Sequence, residues 1–113
     1  GGMFLLEELN RGASGTMTGF AFTEILVAIF NAFNSGDVAK AEAIFDKYLP
    51  LIRYENQLLI NLTIRKEFLK RRGAMAHAKV RDPFNPIDGG THEEISWLLK
   101  RVGIDDQTQK LDL

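Results

Sequence analysis

Between two apolar helical patterns the chain runs Gly12-Ala13-Ser14-Gly15-Thr16-Met17-Thr18-Gly19, a stretch of small residues that predicts one short strand. No second strand pattern accompanies it anywhere in the 113 residues. A buried strand cannot satisfy its own main-chain N–H and C=O groups; neighbouring strands must do so. The sequence therefore describes either a chain that borrows its sheet partners from another polypeptide or one piece of a larger sheet protein. Gly15 and Gly19 would let another backbone approach closely.

The rest reads as helix. Met3 to Arg11 sets Met3, Leu5, Leu6 and Leu9 among Glu7, Glu8 and Asn10, a face that Gly12 closes from the left-handed C′ position. Thr23 is the expected N-cap of a second helix, in which Ile25, Leu26, Ile29, Phe30 and Phe33 recur at three and four residues up to the stop at Asn34-Ser35-Gly36. Asp37 restarts a helix whose inner face is Val38, Ala41, Ile44, Phe45, Tyr48 and Leu49. Pro50 lacks an N–H and clashes with the preceding turn, which predicts a break near Leu49. Leu51 to Arg72 reads as helix again, with Leu58, Leu62, Phe68 and Leu69 inward and Gly73 as terminator. Ala74 to Gly90 carries Pro83, Pro86 and Gly89-Gly90 and predicts a surface loop. Thr91-His92-Glu93-Glu94 before Ile95, Leu98, Leu99 and Val102 has the spacing of a capping box opening a last helix. Gly103 ends it, and Asp105 to Leu113 is expected to fray as a flexible tail.

Charge and composition exclude more than they name. Lys+Arg 14 against Asp+Glu 15 gives net charge −1, and the pI is about 6.1, so no global field recruits nucleic acid or an anionic membrane. The absence of cysteine removes disulfides, thiolate nucleophiles and Cys-based metal sites, which fits a reducing, cytoplasmic setting. The most apolar helical run, Ile25 to Phe33, is too short to span a bilayer. Gly1-Gly2 ahead of Met3 fit either an added pair before an initiator or the interior of a longer chain.

Candidate chemistry is sparse. A hydrolytic triad needs a base beside an activated nucleophile, and the two histidines, His77 and His92, fall in a loop and at a helix start. With Asp82 and Asp88 they make an incomplete ligand set for a metal. Lys66, Lys70, Arg71 and Arg72 gather at a helix end, where cations complement the dipole and could also hold a phosphate or a carboxylate. The glycine-rich stretch lacks the Lys-Ser/Thr of a P-loop. A strand leading into a helix has its C-terminal end at an active-site mouth when it belongs to a barrel, which makes Thr16, Met17, Thr18 and Gly19 interesting by position.

Several separated landmarks, Gly12-Ala13-x-Gly15, Ser35-Gly36-Asp37, Leu49-Pro50-Leu51, Lys66 with Gly73, and Val80-Arg81-x-Pro83, resemble the C-terminal portion of the dihydrodipicolinate synthase and N-acetylneuraminate lyase family over about residues 1–103. The resemblance implies an α/β fold: a C-terminal fragment of a (β/α)8 TIM barrel, mostly helical here. Residues 1–36 would be the last barrel segment (helix 7, strand 8, helix 8), 37–104 appended helices and 105–113 a tail. It implies a lyase or aldolase that forms a Schiff base between a barrel lysine and pyruvate or another 2-oxo acid, with no other cofactor. The catalytic lysine and tyrosine of the family lie on earlier strands, so no catalytic residue and no metal site is expected in this chain.

What the resemblance carries over is the strand-8 wall, with Met17, Thr18 and Gly19 as substrate-binding positions, and Gly1-Gly2 as the counterpart of the glycine after strand 7 that contacts substrate in some members. Gly19 stands where the sialic-acid-cleaving branch has serine, and Phe20-Ala21-Phe22 replaces a common Asn and Pro, so the best-known substrates do not transfer. The implied partners are a small 2-oxo acid and either further copies of the chain or the missing barrel portion. Such a fragment would be inactive alone and would expose the barrel-facing side of Ile25, Ile29 and Phe33. The competing reading is a self-contained helical interaction module without catalysis. A regulatory or nucleic-acid-binding domain using Lys70 to Arg72 is a third.

Overall fold

Five helices and no β-strand make up the computed structural model, which describes residues 1–113: α1 (Leu5–Asn10), α2 (Thr23–Asn34), α3 (Val38–Glu55), α4 (Asn61–Arg71) and α5 (Gly89–Arg101). Helix ends follow local chemistry. At the end of α1, Gly12 takes φ +89°, the Ala13 N–H donates to Glu8 O (3.0 Å) and the Gly12 N–H to Leu9 O (3.0 Å), the paired closure that a glycine at C′ permits. The same pair of bonds closes α2, α4 and α5 around Gly36, Gly73 and Gly103.

The helix starts differ from expectation. Thr23 is the first residue of α2, and its hydroxyl donates to Phe20 O (3.0 Å). The capping box at Thr91 does not form: Asp88 is the N-cap of α5, its carboxylate accepting from the Thr91 N–H (2.8 Å), and Gly89-Gly90 are drawn into the first turn. Glu94 instead accepts from the Tyr54 hydroxyl at 2.6 Å, tying α5 to α3. Burial first, and then that carboxylate, push the Tyr54 phenol up to about 12.

Helix α3 runs through Pro50 without the expected break. An interior proline costs about 3 kcal/mol, but the turn beyond it carries Leu51 and Ile52, both fully buried, and Glu55. Burying each aliphatic side chain returns about 1.5–3 kcal/mol, so packing outweighs the local penalty. The interruption comes later, at residues 56–60, where Leu59 sits at φ 73° and Leu58, expected inside, is 88 % exposed. Helix α4 buries Ile64 and Phe68.

One core of 22 buried apolar residues joins the helices, with α2 against α3 at its centre. Ile25 and Ile29, expected to be exposed in a barrel fragment, are wholly buried there because α3 covers that face. The end of the chain, residues 110–113, lies beside α2, where the Leu111 N–H donates to Glu24 Oε1 (3.4 Å) and Leu111 and Leu113 are partly buried against the core. The envelope is looser than usual. The radius of gyration is 14.5 Å against about 13 Å for a domain of this length. The accessible surface is 7003 Å² against about 6200 Å² for this mass.

Candidate functional site

The Gly12–Gly19 stretch is not a strand. From Ser14 to Gly19 no main-chain group hydrogen-bonds to another main-chain group of the chain. The reason is the one the sequence raised: the ladder bonds of a strand come from neighbours, and this chain supplies none. Met17 is 98 % exposed. Thr18 is half-buried and its hydroxyl oxygen accepts from the Phe20 N–H (3.1 Å). Met17 and Thr18, with Thr23, Leu26, Val27 and Phe30 of α2, line an open apolar groove of about 380 Å³. Gly19 does not line it; its α-carbon lies against the Arg65 guanidinium, so closely that a β-carbon there would collide.

What fixes this segment is a charged clamp on one residue after it, Ala21. The Ala21 N–H donates to Glu55 Oε2 (3.0 Å), and Glu55 Oε1 accepts from Arg65 Nε (2.9 Å). On the other side Arg72 Nη1 donates to the Ala21 carbonyl (2.6 Å) and to Glu24 Oε2 (3.0 Å), while Nη2 donates to Glu24 Oε1. The Arg72 guanidinium also lies over the Phe22 ring, 4.4 Å from its centroid. Both the N–H and the C=O of Ala21 are thus held by titratable side chains, Glu55 of α3 and Arg72 at the C-cap of α4. Phe20 and Phe22 on either side are buried, so the clamp sits in a poorly solvated setting.

The two carboxylates respond in opposite directions. Glu55, 2 % exposed, has its carboxyl raised because burial outweighs the help of Arg65 and the Ala21 N–H. Burial works to raise Glu24 as well. There the Arg72 hydrogen bonds and charge, with a weaker contribution from the Leu111 N–H, win and hold it below the usual range.

The basic cluster is dispersed into separate partnerships. Lys66 Nζ donates to Lys79 O (2.9 Å), and Arg71 bonds Glu67, Ser96 and His92. Only Lys70 stays exposed without a partner in the chain. His92 Nδ1 lies 3.4 Å from the buried Glu67, while His77 Nδ1 accepts from the Lys79 N–H (3.3 Å), so the two histidines serve different local contacts. No group of three or more His, Asp or Glu side chains is placed to hold a metal ion, and no helix is long and apolar enough to cross a membrane. The roles of Glu24 and Glu55 were missed in the sequence because their partners lie 48 and 34 residues away.

This arrangement of helices closely matches part of a solved dihydrodipicolinate synthase from Rhodopseudomonas palustris: TM-score 0.85 and 40 % identity over 88 % of this chain and 33 % of that one. A curated protein, the L-2-keto-3-deoxyarabonate dehydratase of Azospirillum brasilense, is 32 % identical over 98 residues, 87 % of this chain and 31 % of its own length. The chain belongs to the dihydrodipicolinate synthase family. It spans about a third of the length of both family members. No protein-family model matches it.

Proposed function

We propose that the chain is the C-terminal third of a (β/α)8 enzyme that acts on a 2-oxo acid through a Schiff base. Residues 1–36 would be the last barrel segment, with α1 as helix 7, residues 14–19 as strand 8 and α2 as helix 8; residues 37–104 would be the appended helices. The observation that carries this reading is the run Ser14 to Gly19, which leads from α1 into α2 and whose N–H and C=O groups make no main-chain bonds within the chain. In a barrel its N–H and C=O groups would pair with strands 7 and 1, and Met17, Thr18 and Gly19 would reach the mouth at the strand's C-terminal end. The loose envelope and the open groove beside Met17 support the same reading.

The 2-oxo acid class is supported by the curated relative, whose name carries a 2-keto acid. In the complete protein a lysine amine would condense with the C2 carbonyl, losing water, and the protonated imine would take up the electron pair released when a neighbouring bond breaks. That lysine lies outside this chain: Lys40, Lys47, Lys70, Lys79, Lys100 and Lys110 are exposed and Lys66 is half-buried with its amine on Lys79 O. None has the apolar burial that makes an amine nucleophilic at neutral pH. The chain alone would therefore trap no substrate. Incubation with pyruvate and borohydride, followed by peptide mass spectrometry, should yield no adduct, and an adduct on any of these lysines refutes the assignment. The native polypeptide should have the mass of a full barrel, about 250 residues or more.

The closed core of 22 residues favours a second reading, a helical interaction module that folds alone. Sedimentation separates the two. The module stays monomeric at every concentration, whereas a fragment with unpaired segment 14–19 associates as concentration rises.

A further inference from the structure

We infer that Arg65, drawn against Gly19 by the buried Glu55, is a carboxylate-binding residue beside the segment that carries Met17, Thr18 and Gly19. A guanidinium presents five donors in a rigid fork. Here Nε is spent on Glu55 Oε1 at 2.9 Å, while the second Glu55 oxygen is taken by the Ala21 N–H. The ion pair therefore engages one donor of the fork. Nη1 and Nη2 make no hydrogen bond within the chain, and they form the end-on edge that fits a carboxylate with two parallel bonds.

Position points the same way. The guanidinium packs on the Gly19 main chain, an approach possible only because residue 19 has no side chain: a β-carbon would meet Nη1, Cζ and Nε. Thr18 Oγ1 accepts from the Phe20 N–H and so keeps its own proton to donate. The Gly19 N–H is unspent within the chain. Arg65 is 24 % exposed, open to a ligand yet partly stripped of water, whereas Arg72, the other arginine at the clamp, is committed to Glu24 and Ala21. If Arg65 served only as counter-ion to Glu55, a lysine would do equally well. The fork is what a lysine lacks.

That the bound carboxylate belongs to a 2-oxo acid substrate rests on the functional reading above; the anion site itself does not. The full chain is titrated with 2-oxoglutarate, with its dimethyl ester, and with chloride at equal ionic strength, following the amide resonances of Thr18 and Gly19 and the Arg65 Nε–H. Saturable shifts with 2-oxoglutarate and none with the ester are expected. Arg65→Lys, which keeps the Glu55 pair, should weaken binding about ten-fold or more at an unchanged melting profile, and Arg65→Gln should abolish it. Equal binding by wild type and Arg65→Lys, no saturable shift, or shifts that chloride reproduces (an adventitious ion only) would each overturn the assignment. Loss of binding in a protein whose native mass is that of a full barrel sinks this site and leaves the enzyme reading standing. Binding in a native chain no longer than this one does the reverse.

Discussion

Replacing Glu55 tests whether the clamp on Ala21 holds the segment through an acceptor or through a charge. Glu55→Ala removes the partner of a buried N–H, because Ala21 is 7 % exposed and Glu55 2 %; an orphaned buried donor costs about 1–3 kcal/mol. The lost methylene and the void add about 1 kcal/mol. Arg65 is a quarter exposed and can rehydrate, so breaking its pair adds only about 0.5 kcal/mol. Relief of the buried charge offsets part of this, leaving a net loss of about 2–3 kcal/mol. Glu55→Gln keeps an oxygen for the Ala21 N–H while its NH2 replaces the oxygen on the partly exposed Arg65, which can rehydrate, so it should cost about 1 kcal/mol. Urea unfolding followed by circular dichroism reads both, and at a slope near 1.5 kcal/mol/M the alanine variant should lower the midpoint by about 1.5–2 M. Equal losses from Gln and Ala would show that charge, not the acceptor, holds the segment; no loss from Ala would remove the clamp from the account.

Further outcomes follow from the same geometry. Because burial raises the folded Glu55 carboxyl, its stabilising effect is full in acid and is lost as pH rises through that raised value, so Glu55→Gln should flatten a decline in stability above the ordinary carboxylate range. Glu24 works in the opposite sense. Its folded carboxyl is lowered, so its contribution is present above the unfolded pKa and disappears as pH falls through the folded one; stability curves of Glu24→Gln and wild type should converge in acid. Leu59 holds φ 73° with its side chain 78 % exposed. Leu59→Gly should therefore raise the urea stability by up to about 1 kcal/mol, and a loss would mean that the side chain is buried in an assembly.

Features set by a few adjacent residues were legible in the sequence. Glycines at 12, 36, 73 and 103 mark helix ends because the closure they permit involves only the preceding turn. Features decided at long range were not. Pro50 predicts a break, and only the burial of Leu51 and Ile52 explains why α3 continues. Leu58 has the spacing of a core residue, yet the irregular backbone at 56–60 turns it outward. Thr91 has a capping box, yet Asp88 offers a cap one turn earlier and Tyr54 claims Glu94. At the candidate site Met17, Thr18 and Gly19 stand out as a small-residue run and Arg72 as part of a basic cluster, but its partners Ala21 and Glu24 lie about fifty residues away, and Glu55 and Arg65 look like ordinary charged helix residues.

The two ends of that run explain how a segment without main-chain bonds is kept in place. Its N-terminal side is pinned where the Ala13 N–H closes α1 on Glu8, and its C-terminal side where Glu55 and Arg72 grip Ala21. Ordering a residue costs about 1–2 kcal/mol of backbone entropy, and six residues free at both ends would leave a large share of that cost to whatever sheet receives them. Anchoring both ends lowers the cost that such pairing would carry. The same anchors set the direction in which the segment leaves α1 and enters α2, so that in the barrel reading proposed above the neighbouring strands would meet it in one register. A variant that frees the Ala21 end, such as Glu55→Ala, should therefore weaken association of the chain with a sheet partner by more than its own loss of stability accounts for, whereas a variant in the interior of α5 of equal stability cost should leave association unchanged once stability is matched.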